Sequence, residues 1–196
     1  AMMLLACLLP AQPPNGDCAT AQRLCAPTVV QGDNTGGSAV PSFCAPAFSM
    51  VWYTFITNSV GGPVTVAVTI GNCLDIPGYD DELNAIVLSG DGSCTLPGFS
   101  AVSSCEESDI DFTVTTQALA PNTMYWIVVS GAQNNGTIEE AQCAFEIGIS
   151  GPGADIIGVD MSAGTDRIIG QGENTQLDGY SAGPIDWSPT SGLSGN

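Results

Sequence analysis

The chain has 196 residues, 20 of them Asp or Glu and only 2 Arg or Lys, for a formal net charge of −18 at neutral pH. It has no His and no Lys; Arg23 and Arg167 are its bases. Ser-His-Asp and Cys-His nucleophiles, HExxH zinc sites and catalytic lysines are therefore excluded, and a field of this sign excludes nucleic acid and disfavours anionic membrane surfaces as partners.

Hydrophobic residues make up 44% of the chain, enough for an ordinary core, while 24 Gly and 13 Pro argue against long helices. The composition reads as all-β. Eight Cys without a CxxC pair or a His point to disulfides in an oxidising compartment rather than a zinc site. Buried reduced thiols are the alternative.

In chain order, residues 1–11 (AMMLLACLLPA) read as the second half of a secretory signal peptide, too short to span a bilayer. Cleavage after Ala11 competes with lipidation of Cys7 in a lipobox-like Leu4-Leu5-Ala6-Cys7. The charge-free start suggests a piece of a longer reading frame. A cysteine-bearing lead-in rich in Pro, Gly, Ser and Asn covers 12–48, with a turn or two of helix predicted over Cys18–Leu24.

The sandwich body is predicted over 49–151. Ser49–Thr57 is aromatic and β-branched, with Trp52, Thr54 and Ile56 alternating against Val51, Tyr53 and Phe55. Pro63–Ile70 alternates Val with Thr and Ala, as a strand with one buried face should. Further strands are predicted at Asn84–Ser89, Ser100–Ser104, Asp111–Thr116, Met124–Ser130 and Ala144–Ser150, each bounded by turn residues. Short strands at this spacing predict an antiparallel β-sandwich, jelly-roll or Ig-like. Around Gly151-Pro152-Gly153 the pattern breaks, and 152–196 reads as the start of a second β module, too short to close a sandwich.

The opening Asn15-Gly16-Asp17-Cys18-Ala19, the strand Val51-Trp52-Tyr53-Thr54-Phe55, the stretch from Ser89-Gly90 and Cys94 to Cys105-Glu106-Glu107, and the hairpin Leu119-Ala120-Pro121 to Tyr125 carry a resemblance to one family. Over roughly Asn15–Gly151 the chain resembles β-sandwich modules of secreted Bacteroidetes proteins, including gliding-motility-associated, type IX-secreted adhesin-like proteins. Those modules are similar to pre-peptidase C-terminal domains. It departs from them at Glu82-Leu83, where Asp-Thr is usual, and at Cys105-Glu106-Glu107-Ser108, where Cys-Asn-Asp-Asp is usual. The stretch Ser162–Asp166, Gly170–Glu173 and Trp187-Ser188-Pro189 to Gly192-Leu193-Ser194 resembles the opening of PKD-like or Ig-like modules.

Among the cysteines, Cys94 and Cys105 flank a short loop and are the first pair expected to bond, worth about 2.5–3 kcal/mol in the loop-entropy model. Cys25–Cys44 would tether the lead-in, Cys18 can take the place of Cys25, and Cys73–Cys143 is a further pairing. Loss of Cys7 with the leader leaves an odd cysteine. Tyr125, after Leu119 and Pro121, has the spacing of a tyrosine corner, in which the hydroxyl bonds backbone upstream.

Carboxylates are the remaining candidates for chemistry. Asp80, Asp81 and Glu82 share one loop; Glu106, Glu107, Asp109 and Asp111 share another, across the hairpin between them. Converging, such hard oxygen donors would suit a structural Ca²⁺, although no EF-hand spacing is present and acidic loops commonly just solvate. No pair is marked for glycoside hydrolysis. Tyr79 and Phe99, read as loop aromatics, are candidates to stack on sugar rings or, more simply, to anchor their loops.

These features predict a secreted or outer-membrane-associated adhesin or extracellular structural module. It is non-catalytic, is not inserted in the membrane, and binds surface glycans or other extracellular proteins. A carbohydrate-binding or accessory module of a larger secreted hydrolase or protease is the alternative, and a self-assembling filament subunit is another.

Overall fold

The alternating Val, Thr and aromatic runs build two β-sheets packed face to face in the computed structural model. The structure describes residues 13–38, 43–44, 47–133 and 136–154. The chain divides into two units, Ala1–Asp155 and Ile156–Asn196. The expected leader over 1–11 and, after Ala154, the expected second module lie outside the described residues.

The strands are β1 (Gln22–Arg23), β2 (Val29–Asp33), β3 (Ala47–Ile56), β4 (Thr65–Cys73), β5 (Leu83–Gly90), β6 (Phe99–Ala101), β7 (Glu106–Ser108), β8 (Phe112–Thr115), β9 (Met124–Ala132) and β10 (Cys143–Ser150). One sheet runs β1-β3-β9-β5-β6, with β7 also paired to β5; the other runs β2-β10-β4-β8. All pairs are antiparallel except β1 with β3, which are parallel. The all-β, disulfide-stapled sandwich expected from the sequence is the fold. The helical stretch expected over Cys18–Leu24 is a single 3-10 turn, Cys18–Thr20, capped by the Asp17 carboxylate accepting from Ala19 N–H at 2.8 Å and Thr20 N–H at 3.2 Å. β1 follows at once.

Side-chain alternation decides what each sheet buries. From the larger sheet, Val51, Tyr53 and Phe55 of β3, Leu83, Ala85 and Val87 of β5, and Ile127 and Val129 of β9 point between the sheets. Val66 and Val68 of β4 and Phe145, Ile147 and Ile149 of β10 meet them from the other side. The smaller sheet follows the ordinary rule, with Ala67, Thr69 and Glu146 exposed on its outer face.

The larger sheet does not. Its outer face carries Met50, Trp52, Ile86, Leu88, Trp126 and Val128, all buried in a second cluster with Cys18 and Cys44. The rings of Phe43, Trp52, Phe99 and Trp126 pack there with centroids 5.4–5.7 Å apart. Burial of each such side chain stabilises by about 1.5–3 kcal/mol, so a face this apolar needs a cover. The lead-in and the loop after β5 supply it.

The described end of the unit is docked on this sandwich. The Asn58 side-chain amide donates to Pro152 O at 2.7 Å, Gly153 N–H donates to Pro63 O at 3.0 Å, and Ala154 lies in the inter-sheet core.

Candidate functional site

The disulfides are Cys18–Cys94, Cys44–Cys105 and Cys73–Cys143, closing separations of 76, 61 and 70 residues. Two sequence expectations are corrected. Cys94 and Cys105 do not bond each other, and Cys25 does not bond Cys44 but is a free, half-buried thiol. The reason lies in the hairpin: β5 and β6 are held by their own ladder, Leu88 against Ala101 and Gly90 against Phe99. Cys94 lies beyond the Gly90 end of β5, whereas Cys105 precedes Glu106, which pairs with Ala85 near the other end, so the two thiols sit apart and each bonds the lead-in that covers the outer face. Cys73–Cys143 forms as the sequence suggested, joining residues in direct register on β4 and β10.

The tyrosine corner is present. Ala120 N–H donates to the Tyr125 hydroxyl at 3.0 Å, and the Tyr125 ring stacks on Phe55 with centroids 5.7 Å apart. Phe99 is not a loop aromatic. It opens β6, and its half-buried ring packs against the buried cluster, beside Trp52 and edge-on to Trp126. Tyr79 is half-buried on the loop after β4, where its N–H donates to Ile76 O at 3.0 Å.

The acids take separate structural roles. Asp80 is buried: one carboxylate oxygen accepts Asp81 N–H at 2.9 Å and Glu82 N–H at 3.2 Å, the other the Thr137 hydroxyl at 3.0 Å. Glu106, on β7, accepts the Ser104 hydroxyl at 2.6 Å. Asp111 accepts Ile70 N–H at 3.0 Å and so ties the loop before β8 to β4. Asp81, Glu107 and Asp109 have exposed side chains. Among the described residues no three carboxylates or thiols are grouped to hold a metal ion. Away from these, hydrogen bonds from the Ser93 hydroxyl and N–H hold the Asp91 carboxyl below the usual carboxylate range.

Two features were not legible in the sequence. The first is a cleft of about 610 Å³ beside the edge strands β1 and β2, lined by Asn15, Gln22, Gln31, Asp33 and Tyr53 among others. Gly32 is required there, because a Cβ would collide with the Tyr53 hydroxyl and the Phe145 ring. Burial pushes the Tyr53 hydroxyl up to about 12; the Asn15 amide works against that rise and the Asp33 carboxylate adds to it.

The second is a pair of joined loops at one end of the sandwich, 74–82 and 136–142. The disulfide Cys73–Cys143 fixes their bases. Gly78 O accepts N–H bonds from Ile138 at 2.9 Å and Glu139 at 3.0 Å, Asp80 N–H donates to Glu139 O at 3.1 Å, and Asp80 holds Thr137. Gly78 has φ +100°, a conformation that favours glycine.

No family model matches the chain, and no curated protein matches its sequence. Among solved structures it is similar to PliG of Aeromonas hydrophila, a periplasmic lysozyme inhibitor of g-type lysozyme. The two are 15% identical, the match covers 66% of this chain and 97% of that one, and the TM-score is 0.34. A likeness at that level carries no functional argument.

Proposed function

We propose that this chain is a non-catalytic, extracytoplasmic binding module that presents loops from a stapled sandwich, as the resemblance to adhesin-like modules implies. The observation that carries it is the set of long disulfides: two clamp the lead-in over an apolar sheet face and the third fixes the bases of two loops. Such bonds persist outside the reducing cytoplasm. They pre-order surface loops, which lowers the entropic cost of binding. Of the candidate carboxylates, Asp80 joins one loop to the other and Asp111 ties the loop before β8 to β4. With no His or Lys in the sequence, acid–base and nucleophilic chemistry has few groups to use.

The test is binding by the purified, oxidised chain to immobilised extracellular proteins and to a glycan array, before and after reduction. Saturable binding that reduction abolishes is expected. Hydrolytic turnover of ester, amide or glycoside substrates by the chain alone would overturn the reading.

A second reading, a carbohydrate-binding accessory module, is favoured by the cleft beside Tyr53, whose amide and carboxylate lining suits sugar hydroxyls. A glycan-array signal lost in Gln31→Ala would support it.

A further inference from the structure

We infer that the joined loops 74–82 and 136–142 form a docking tip for a basic protein partner, one with an apolar depression rimmed by Lys and Arg. This rests on the binding-module reading and adds the surface and the partner's chemistry.

The tip holds large aliphatic side chains in water. Leu74 is 38% exposed, Ile76 49% and Ile138 72%. Apolar residues on a slack loop can fold back onto the body, but these loops are not slack. Their bases are crosslinked at Cys73–Cys143, Leu74 N–H donates to Gln142 O at 2.9 Å, and the bonds to Gly78 and Asp80 join one loop to the other. A Cβ on Gly78 would press against Ile138 Cγ1 at 2.9 Å, so that glycine lets the second loop come close. The aliphatic groups are thus presented at little further cost in order, which is what a docking surface requires.

Charge selects the occupant. Exposed Asp75, Asp81 and Glu139 flank the aliphatic residues, on a chain with 20 acids and 2 bases. That field repels a second copy of the chain, nucleic acid and anionic lipid headgroups, and it attracts a cationic surface. An aliphatic tip whose ring, Tyr79, is half-buried suits a protein pocket better than a sugar face.

The test uses the full oxidised chain against a panel of purified soluble proteins, half strongly basic and half strongly acidic. It also uses a glycan array and neutral phosphatidylcholine vesicles. Binding confined to basic proteins is expected, with amide shifts of the wild-type chain mapping to 74–82 and 136–142. Because both isoleucines are exposed, Ile76→Ser with Ile138→Ser should leave the unfolding temperature unchanged and weaken binding roughly tenfold or more. Asp75→Asn with Asp81→Asn and Glu139→Gln should slow association and flatten its salt dependence.

Protein or glycan binding that survives the isoleucine double variant, or whose shifts map elsewhere, overturns the tip while leaving the binding module standing. Vesicle binding through the tip, or self-association abolished by the double variant, also overturns the assignment. No binding to any arm overturns both readings.

Discussion

Replacing Cys18 and Cys94 together by Ala removes one clamp between the lead-in and the hairpin after β5 while leaving the strands themselves unaltered. Alone in the chain, that bond would close a separation of 76 residues and contribute about 4.5 kcal/mol in the loop-entropy model. It is not alone. The Cys44–Cys105 bond already shortens the path between its ends to roughly 37 residues, which lowers the expected contribution to about 3.8 kcal/mol. For a chain of this size that is a fall in unfolding temperature of about 8–15 °C. The cover over Trp52 and Trp126, now 7% and 5% exposed, should loosen first. Urea unfolding without reductant, followed by far-UV circular dichroism and by tryptophan emission in a Trp187→Phe background, measures both effects. A stability loss below about 1 kcal/mol, less than a third of the value expected from the entropy model, would refute the clamp. So would unchanged native emission together with no binding of an apolar dye.

Tyr53 titrates at about 12, above its ordinary value of 10.0, so its neutral form is favoured in the folded chain. The unfolded chain then loses the phenolic proton first. Its stabilising contribution is fully present below pH ~10 and is lost as pH rises through about 12, by roughly 2–3 kcal/mol. Wild type should therefore lose stability more steeply than Tyr53→Phe in that window, and parallel curves would count against the assignment. Tyr125→Phe deletes the acceptor of Ala120 N–H and should cost about 1 kcal/mol in chemical denaturation, with strand content unchanged. Asp80 and Asp111 are already engaged by N–H and O–H donors, so millimolar Ca²⁺ and EDTA should give unfolding temperatures within ~1 °C of each other. Stabilisation by several degrees would instead support the calcium site.

The long strands could be read from the chain because their patterns report burial directly. Ser49–Thr57 became Ala47–Ile56, Pro63–Ile70 became Thr65–Cys73, and Ala144–Ser150 became Cys143–Ser150. The strands missed are β1, β2 and β7, where Gln22-Arg23, Val29–Asp33 and Glu106–Ser108 carry little apolar periodicity. Such segments are strands because a partner's backbone offers hydrogen bonds, and that is tertiary information. β5 shows the same limit from the other side. Leu83–Leu88 is buried at every position, since both faces of the larger sheet are covered, and no alternation could announce it.

At the candidate site the legible part was again what local spacing encodes. The hydroxyl of Tyr125 found backbone five residues upstream. The pairing of Cys94 with Cys105 failed because nearness in sequence says nothing of which thiols a covering segment brings together. Tyr79 and Asp80–Glu82, the candidates for sugar stacking and calcium, sit in the joined loops, with Asp80 as the knot between them. Leu74, Ile76 and Ile138 escaped notice because a loop aliphatic reads as an anchor until its exposure is known.

The most direct test of the clamped architecture is a disulfide map of the purified, unreduced chain by peptide mass spectrometry after alkylation at low pH. Linkages Cys18–Cys94, Cys44–Cys105 and Cys73–Cys143, with Cys25 alkylated, are the expected result. A Cys94–Cys105 or Cys25–Cys44 linkage would contradict it, leaving the apolar outer face of the larger sheet without its staples.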